Sequence, residues 1–267
     1  RQDIVELTDK KEEGLKHFGL DLNKKTILLF GGSLGARTLN DSIATNKDLL
    51  DANQNVQVLW QAGELYIEEF KQSAAAHLDN VKILSFIDRM DLAYAMADLV
   101  ICRAGALTIS ELCLVAKPAI LIPSPNVAED HQTLNAKALS TKDAGVLVED
   151  KNAEGMLKEA LQILENQHAV DGLKNNIKKL AKANAAENIF CSHVLEHLSN
   201  EEMKIALNNI YQMLKPGGCF RLIVPNLENR IKKYIENKDA NQFIDSIVMG
   251  NKNMNKSIFS KIKSFFG

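Results

Sequence analysis

The sequence has little of what marks disulfide-bonded, membrane-spanning or nucleic-acid-binding proteins. It contains four cysteines in 267 residues and no Cys-x-x-Cys pair, so we expect the reduced thiols of a cytosolic protein and neither a disulfide framework nor a zinc site. Every apolar run is well short of the roughly 20 residues that span a bilayer, and we expect no signal peptide. A net charge of −2 gives no reason to expect a nucleic-acid partner.

What is present is ordinary for a globular protein. Hydrophobic residues make up 46% of the chain and charged residues 25%, which is typical of soluble domains. The length suits one large domain or two ordinary ones. Because the first residue is Arg1 rather than methionine, we expect the sequence to be a piece of a longer chain.

Short apolar runs alternate with amphipathic helical stretches from residue 26 to about residue 186. The predicted strands are 26–30, 55–61, 81–84, 99–102, 119–122 and 145–148. The predicted helices are 36–51, 62–78, 90–96, 107–115, 130–143, 153–165 and 170–183. This alternation predicts an α/β fold with a Rossmann-like parallel sheet covered on both faces. Ligands bind such sheets at the carboxyl ends of the strands.

Two glycine-rich loops each follow a predicted strand and precede a predicted helix. The first is Gly31-Gly32-Ser33-Leu34-Gly35-Ala36, and the second is Arg103-Ala104-Gly105-Ala106-Leu107-Thr108. This arrangement leaves backbone N–H groups at a helix N-terminus available to a phosphate, although a plain strand-to-helix turn is the alternative for one loop alone. Two such loops in one domain indicate a nucleoside diphosphate held between them. The candidate phosphate-loop glycines are Gly31, Gly32, Gly35 and Gly105.

Polar side chains near these loops have a binding and a structural interpretation. Glu111 follows the second loop by about one turn, where a carboxylate either accepts hydrogen bonds from ribose hydroxyls or caps the helix. His131 and Gln132 open a predicted helix at the same edge of the sheet, where imidazole and amide groups suit a sugar. A surface helix position is the alternative for His131, and Asp130 suits an N-cap. The residues alone leave these alternatives open.

Four ordered motifs together resemble the C-terminal domain of the MurG family of peptidoglycan N-acetylglucosaminyltransferases. They are GGSLGAR at 31–37, FIDRM at 86–90, RAGALT at 103–108 and DHQTLNA at 130–136. The resemblance covers residues 1 to about 187. It implies the C-terminal half of a GT-B fold, in which two Rossmann-like domains face a cleft. It also implies UDP-N-acetylglucosamine as the donor, lipid I as the acceptor and lipid II as the product, at the inner face of the cytoplasmic membrane.

The resemblance also implies roles for individual residues. Ser33 would contact the diphosphate, Arg1 would approach it as a cation, and Ile87 would hold the uracil through its backbone. Ala106, Leu107 and Thr108 would lie near the phosphates, Glu111 would bind the ribose and Gln132 the N-acetylglucosamine. Leu34 stands where many members carry glutamine. No metal or cofactor is implied.

The family's N-terminal domain, which supplies the presumed general base and the acceptor site, does not precede Arg1 in this sequence. General-base assistance is typically worth about 10²–10⁴-fold in rate, and no residue here is assigned to it. We therefore expect the chain alone to bind the donor weakly and to transfer nothing.

Residues 189–227 differ in character from the preceding part. A predicted strand at 188–192, a helix at 200–214, a Lys-Pro-Gly-Gly turn at 215–218 and a strand at 219–224 resemble the C-terminal half of class I S-adenosylmethionine-dependent methyltransferases. The glycine-rich loop that holds the methionine end of the cofactor in that family is lacking, so we expect this segment not to bind S-adenosylmethionine. His193, Glu196 and His197 match a zinc-protease pattern, which is easily met by chance. We predict domains at 1–188 and 189–267. We interpret their junction as a gene-assembly or truncation product, or a decayed fusion, rather than an evolved bifunctional enzyme.

Three functions remain open at this point. The leading one is the donor-binding domain of a glycosyltransferase. A non-catalytic UDP-sugar-binding module and a methyltransferase fragment are the alternatives.

Overall fold

The computed structural model describes residues 7, 9–127, 130–180, 186–192, 200–223 and 227–238. The chain divides into two compact units, Arg1–Ala181 and Lys182–Gly267. This division falls a few residues before the boundary of 188 that we predict from the sequence.

The first unit contains a six-stranded parallel sheet. Its strands are β1 (Lys25–Phe30), β2 (Val56–Gln61), β3 (Val81–Leu84), β4 (Leu99–Cys102), β5 (Ala119–Leu121) and β6 (Val146–Leu147). They lie in the order β3-β2-β1-β4-β5-β6, and every neighbouring pair is parallel. The order reverses between β1 and β4, which creates a crevice at the carboxyl ends of these two strands. All six predicted strands are present, with bounds that differ by at most one residue at either end.

Helices cover both faces of this sheet. They are α1 (Lys11–Phe18), α2 (Arg37–Thr45), α3 (Lys47–Ala52), α4 (Ile67–Phe70), α5 (Met90–Met96), α6 (Ala106–Val115), α7 (His131–Ser140), α8 (Met156–Glu165) and α9 (Gln167–Leu180), with 3-10 helices at Ala74–His77 and Asp150–Gly155. Side chains alternate along β1: Ile27 and Leu29 belong to one buried cluster, Leu28 and Phe30 to the other. The predicted α/β class and the two covered faces are confirmed.

Two predicted helices are wrong in extent. The helix predicted at 36–51 is interrupted at Asn46, whose side-chain amide donates to the carbonyls of Ser42 and Glu154. The helix predicted at 62–78 is a turn followed by the short α4 and a 3-10 helix, because Gly63 adopts a φ of +90° that a helix does not allow. Helix α1, which is not among the predicted helices, covers one face.

The described residues of the second unit form a two-stranded parallel sheet and two helices. Strands β7 (Ala186–Ser192) and β8 (Leu214–Ile223) pair in parallel, α10 (Asn200–Met213) lies between them in the chain, and α11 (Leu227–Asn237) follows. The predicted turn at 215–218 is instead an irregularity within β8: Ala186 pairs with Leu214 but Asn188 pairs with Cys219. His193, Glu196 and His197 lie outside the described residues.

No helix in the described residues is long and apolar enough to cross a membrane. No group of three or more histidine, cysteine, aspartate or glutamate side chains in them is placed to hold a metal ion.

Candidate functional site

A cleft of about 410 Å³ lies at the carboxyl ends of the strands, where both glycine loops meet. Its lining residues are Phe30, Gly31, Gly32, Gly35, Ala36, Arg37, Thr38, Tyr66, Arg103, Gly105, Thr108, Ser124, Asn126 and Gln132. Six residues that we predict as site residues are thus brought together: Gly31, Gly32, Gly35, Gly105, Thr108 and Gln132. Ser33, Ala106 and Leu107 belong to the same two loops but do not line the cleft. Arg1 lies outside the described residues.

The first loop is held in one conformation by its glycines. Gly32 and Gly35 have φ values of +94° and +85°, a region that side chains other than glycine rarely adopt. A Cβ on Gly35 would lie 2.0 Å from the carbonyl oxygen of Ala62. A Cβ on Gly63 would in turn lie 2.3 Å from the backbone nitrogen of Gly35. The loop after β1 and the turn after β2 therefore fix each other's backbone.

Helices α2 and α6 begin at this cleft without side-chain caps. Ala36 is the N-cap of α2 and Gly105 that of α6, and neither makes a side-chain capping hydrogen bond. The N–H groups of a helix's first turn have no partner within the helix, and the helix dipole adds partial positive charge at this end. Two such ends at one cleft form an anion-binding arrangement.

Gly105 faces open space, unlike Gly35. Its φ is −66°, and a Cβ there would meet only the hydroxyl oxygen of Thr108, at 3.9 Å. Nothing in the described protein therefore requires glycine at this position, and the free space lies at the cleft.

Glu111 is buried, with 7% of its surface exposed, and does not line the cleft. It accepts a hydrogen bond of 3.0 Å from the Tyr94 hydroxyl. It lies in the second turn of α6, whose first turn contains no acidic residue and whose N-cap makes no side-chain bond. The capping alternative for Glu111 is therefore wrong, while its role in ribose binding stays a prediction.

Helix α7 is attached to both neighbouring loops. The Gln132 side-chain oxygen accepts the Ser124 backbone N–H at 2.9 Å, and the Asn135 amide donates to the Ala104 carbonyl at 2.9 Å. Asp130 occupies the N-cap position as predicted but makes no side-chain capping bond. Its carboxylate accepts the Thr133 hydroxyl at 2.6 Å. Gln132 is thus fixed at the cleft wall with its oxygen engaged by the protein.

Ile87 is buried in the core, 1% exposed, and does not line the cleft. Its contact with the uracil stays a prediction. Asp91 holds the adjoining segment: it is buried and accepts hydrogen bonds from Arg89, at 2.9 Å, and from Lys10, at 3.2 Å. The hydrogen bonds from Arg89 hold the pKa of Asp91 far below its usual value despite burial.

Two arginines of the cleft wall, which our site prediction missed, are paired with carboxylates. Arg37 donates to both oxygens of Glu69, at 3.0 and 2.6 Å, and holds the pKa of Glu69 below its usual value. Arg103 forms an ion pair with Asp150 and also donates to the carbonyls of Ile122 and Pro123. Both arginines stand in the glycine-loop motifs, so the sequence offered a signal for them. Their partners lie 32 and 47 residues away and could not be inferred.

The fold and the cleft define a Rossmann-like α/β domain with two uncapped helix N-termini at its topological switch point. The model of the glycosyltransferase family 28 C-terminal domain matches residues 26–189, and the chain belongs to this family. The match ends at residue 189, and the methyltransferase-like resemblance of the following residues stays a prediction.

Similar proteins carry one recurring name. The chain is 50% identical over 190 residues to the UDP-N-acetylglucosamine--N-acetylmuramyl-(pentapeptide) pyrophosphoryl-undecaprenol N-acetylglucosamine transferase of Flavobacterium psychrophilum, covering 71% of this chain and 51% of that protein. It is 51% identical over 191 residues to the protein of the same name from Parabacteroides distasonis, covering 71% and 52%. The chain spans about half the length of the curated relatives it matches.

A solved structure agrees with this assignment. The crystal structure of Acinetobacter baumannii MurG matches with a TM-score of 0.51 and 30% sequence identity, over 58% of this chain and 47% of that one. The predicted fold, the C-terminal half of a GT-B glycosyltransferase, is confirmed for the first unit.

Proposed function

We propose that this chain binds UDP-N-acetylglucosamine as the donor half of a glycosyltransferase that transfers N-acetylglucosamine to lipid I, forming lipid II in peptidoglycan synthesis. The observation that carries the proposal is the pair of uncapped helix N-termini, α2 and α6, at one cleft. The family assignment and the relatives' printed names support the choice of sugar nucleotide.

The proposed placement follows the chemistry of each part of the cleft. The diphosphate lies between the two loops, near Ser33 on one side and Ala106, Leu107 and Thr108 on the other. The buried Glu111 carboxylate accepts the ribose hydroxyls, the backbone at Ile87 meets the uracil, and Gln132 faces the sugar. We extend the resemblance to Arg1 as a cation near the diphosphate.

This half of the protein contributes to the reaction by stabilising the leaving group. When the bond from the sugar to the diphosphate breaks, negative charge grows on the departing phosphate oxygen. Backbone N–H groups already oriented at a helix N-terminus stabilise such charge without reorganisation. No residue of this chain is assigned as the general base, and the acceptor-side groups belong to the part of the relatives that the chain does not span.

The proposal extends to location. The acceptor in the relatives' names carries an undecaprenyl chain, which is held in a membrane. We therefore place the protein peripherally at the inner face of the bacterial cytoplasmic membrane.

Calorimetric titration with UDP-N-acetylglucosamine, UDP and ADP tests the donor assignment. We expect binding of both uridine nucleotides and a much weaker signal with ADP. Replacing Glu111 with alanine should weaken UDP binding about tenfold or more, since a buried polar partner of the ribose is lost. No measurable UDP binding by the unmodified chain would contradict the proposal.

Tyr94→Phe is the matched control for Glu111→Ala. It removes the hydroxyl that donates to Glu111 but leaves the carboxylate in place. If Glu111 binds the ribose, Tyr94→Phe should affect UDP binding much less than Glu111→Ala at a similar loss of thermal stability. Equal losses of UDP binding in both variants would indicate that Glu111 acts only through the fold.

A transfer assay separates the donor domain from a non-catalytic binding module. Lipid I and radiolabelled donor are incubated with the chain, with and without the N-terminal domain of a relative. We expect lipid II only in the second mixture. A heat signal with S-adenosylmethionine would instead favour the methyltransferase alternative.

A further inference from the structure

One face of α2 is joined to the 3-10 helix Asp150–Gly155 by three hydrogen bonds at a spacing of four residues. The Thr38 hydroxyl donates to Asp150 at 3.2 Å, the Ser42 hydroxyl to the Ala153 carbonyl at 2.7 Å, and the Asn46 amide to the Glu154 carbonyl at 3.1 Å. A spacing of four places these side chains on the same side of the helix. Helix α2, whose N-terminus follows the first glycine loop, is therefore fixed to this segment.

In addition to the hydrogen bond from Thr38, Asp150 contacts a residue of the second glycine loop. One carboxylate oxygen accepts the Thr38 hydroxyl, while the other is paired with the guanidinium of Arg103. Arg103 begins the second glycine loop, and the same guanidinium nitrogen donates to the Ile122 and Pro123 carbonyls at 3.2 Å each. The carboxylate thus connects the helix of the first loop with the residue that opens the second.

We propose that Asp150 is a positioning residue that sets the distance between the two glycine loops, so that a ligand carrying two linked phosphates contacts both. This inference rests on the proposed function, because it assumes a uridine diphosphate in the cleft. The affinity for a nucleoside monophosphate, whose nucleoside end we place beside Glu111 and Ile87, depends mainly on the second loop. The affinity for a nucleoside diphosphate depends on both loops and on the distance between them.

A purely electrostatic role makes the opposite prediction. Asp150 is a negative charge beside a cleft that receives an anion, and removing it would leave Arg103 unpaired. If charge alone mattered, Asp150→Asn would bind UDP more tightly. If spacing matters, the same variant binds UDP less tightly although the repulsive charge is gone.

The experiment measures the dissociation constants of UDP and UMP for the full chain by calorimetry. For Asp150→Asn we expect the preference for UDP over UMP to fall about tenfold, equivalent to about 1.4 kcal/mol. Asp150→Glu keeps the charge but lengthens the side chain by one methylene, so it should also lower the preference. If Asp150→Asn folds poorly, the UDP-over-UMP preference of Asp150→Glu tests the positioning role instead.

Two control variants separate this role from general stability. Ser42→Ala removes a hydrogen bond from the same face of α2 without touching Arg103. Asp98→Asn removes a carboxylate of closely similar side-chain exposure, 17% against 19% for Asp150, that is paired with Lys11. Both should leave the UDP-over-UMP preference within about twofold of the unmodified chain, because neither joins the two loops.

The outcomes are distinct. An unchanged preference in Asp150→Asn and Asp150→Glu, or tighter UDP binding by Asp150→Asn, would overturn the positioning role while leaving the proposed function intact. A fall of similar size in Ser42→Ala or Asp98→Asn would also overturn it. Failure of the unmodified chain to bind UDP would overturn the proposed function and this inference together.

Discussion

At the scale of single residues, two glycines of the cleft occupy different environments. Gly35 combines a φ of +85° with a neighbouring carbonyl oxygen 2.0 Å from a hypothetical Cβ. Gly105 has an ordinary φ of −66° and no close neighbour. The first is therefore required by the protein's own backbone, whereas the second leaves room for a ligand. Substitution at the two positions should separate stability from binding.

Gly35→Ala should destabilise the protein strongly. The methyl group would overlap the Ala62 carbonyl and impose a left-handed backbone on alanine, a combination that costs about 2–4 kcal/mol. Urea denaturation measures the loss. A loss below about 1 kcal/mol would show that the loop and the turn at Gly63 move apart easily.

Gly105→Ala should leave the fold nearly unchanged and weaken binding. Replacing a glycine N-cap by alanine costs at most about 1 kcal/mol, while the methyl group would stand at the N-terminus of α6 where we place the diphosphate. We expect UDP affinity to fall at least about tenfold with a melting temperature within a few degrees of the unmodified protein. Unchanged UDP affinity would contradict the placement.

Lys117 gives a pH-dependent prediction far from the cleft. It is partly buried and donates to the carbonyls of Ala95 and Ala97 at 3.1 and 2.7 Å. Burial lowers its pKa to about 8, with Asp98 opposing and Lys11 and Lys174 adding to the shift. Above this pH the folded state loses the proton while the unfolded state keeps it, so stability contributed by this group rises with pH.

The measurement compares the unmodified protein with Lys117→Met by urea denaturation. Between about pH 7.5 and 9.5, the unmodified protein should gain about 1–2 kcal/mol relative to the variant. Using the difference cancels the opposite contribution of Cys102 and Cys113, whose thiol pKa values burial raises. A constant difference across this range would contradict a lowered lysine pKa.

At the scale of elements, local patterns predicted strands better than helices. A buried parallel strand is a short continuous apolar run, such as 99–102, which needs no knowledge of its partners. The prediction of a helix at 62–78 was wrong because the turn at Gly63 is fixed by contact with Gly35, a residue far away in the sequence. The interruption at Asn46 likewise depends on the Glu154 carbonyl.

Only the two glycine loops of the site could be predicted from the sequence. Glycines between a strand and a helix indicated both loops, and the structure places them at one cleft. The pairs Arg37–Glu69 and Arg103–Asp150 and the hydrogen bond from Tyr94 to Glu111 join residues 17 to 47 positions apart. A single sequence holds no signal for such pairs, because they follow from the order of strands in the sheet.

Asn40 links α2 to the end of β2, and its replacement tests how much this contact between elements stabilises the fold. It is fully buried, accepts the Trp60 indole N–H at 2.8 Å and donates to the Ala62 carbonyl at 2.9 Å. Asn40→Leu leaves both groups unpaired, so we expect a loss of about 2–4 kcal/mol. Trp60 is the single tryptophan of the chain, and its fluorescence during denaturation reports the loss. A change below about 1 kcal/mol would contradict the link.

At the scale of the whole molecule, the cleft belongs to the first of two units. Every described residue that lines it lies between Phe30 and Gln132, and the first unit ends at Ala181. A truncated chain of residues 1–181 should therefore bind UDP with an affinity within about threefold of the full chain, measured by calorimetry. Loss of binding in a truncated chain that keeps its circular dichroism spectrum would show that residues after 181 contribute to the site.

The pairing of both cleft arginines has a consequence for how binding responds to ionic strength. Glu69 and Asp150 already neutralise them, so an incoming diphosphate meets hydrogen-bond donors more than unpaired charge. Free surface charges are screened over about 8 Å at physiological salt, whereas direct N–H contacts are not. In an Arg1→Ala variant, which lacks the cation that we place near the diphosphate, UDP affinity should thus change less than about threefold between roughly 50 and 500 mM NaCl. We expect such a cleft to select a phosphate ligand by shape and not to concentrate polyanions in general.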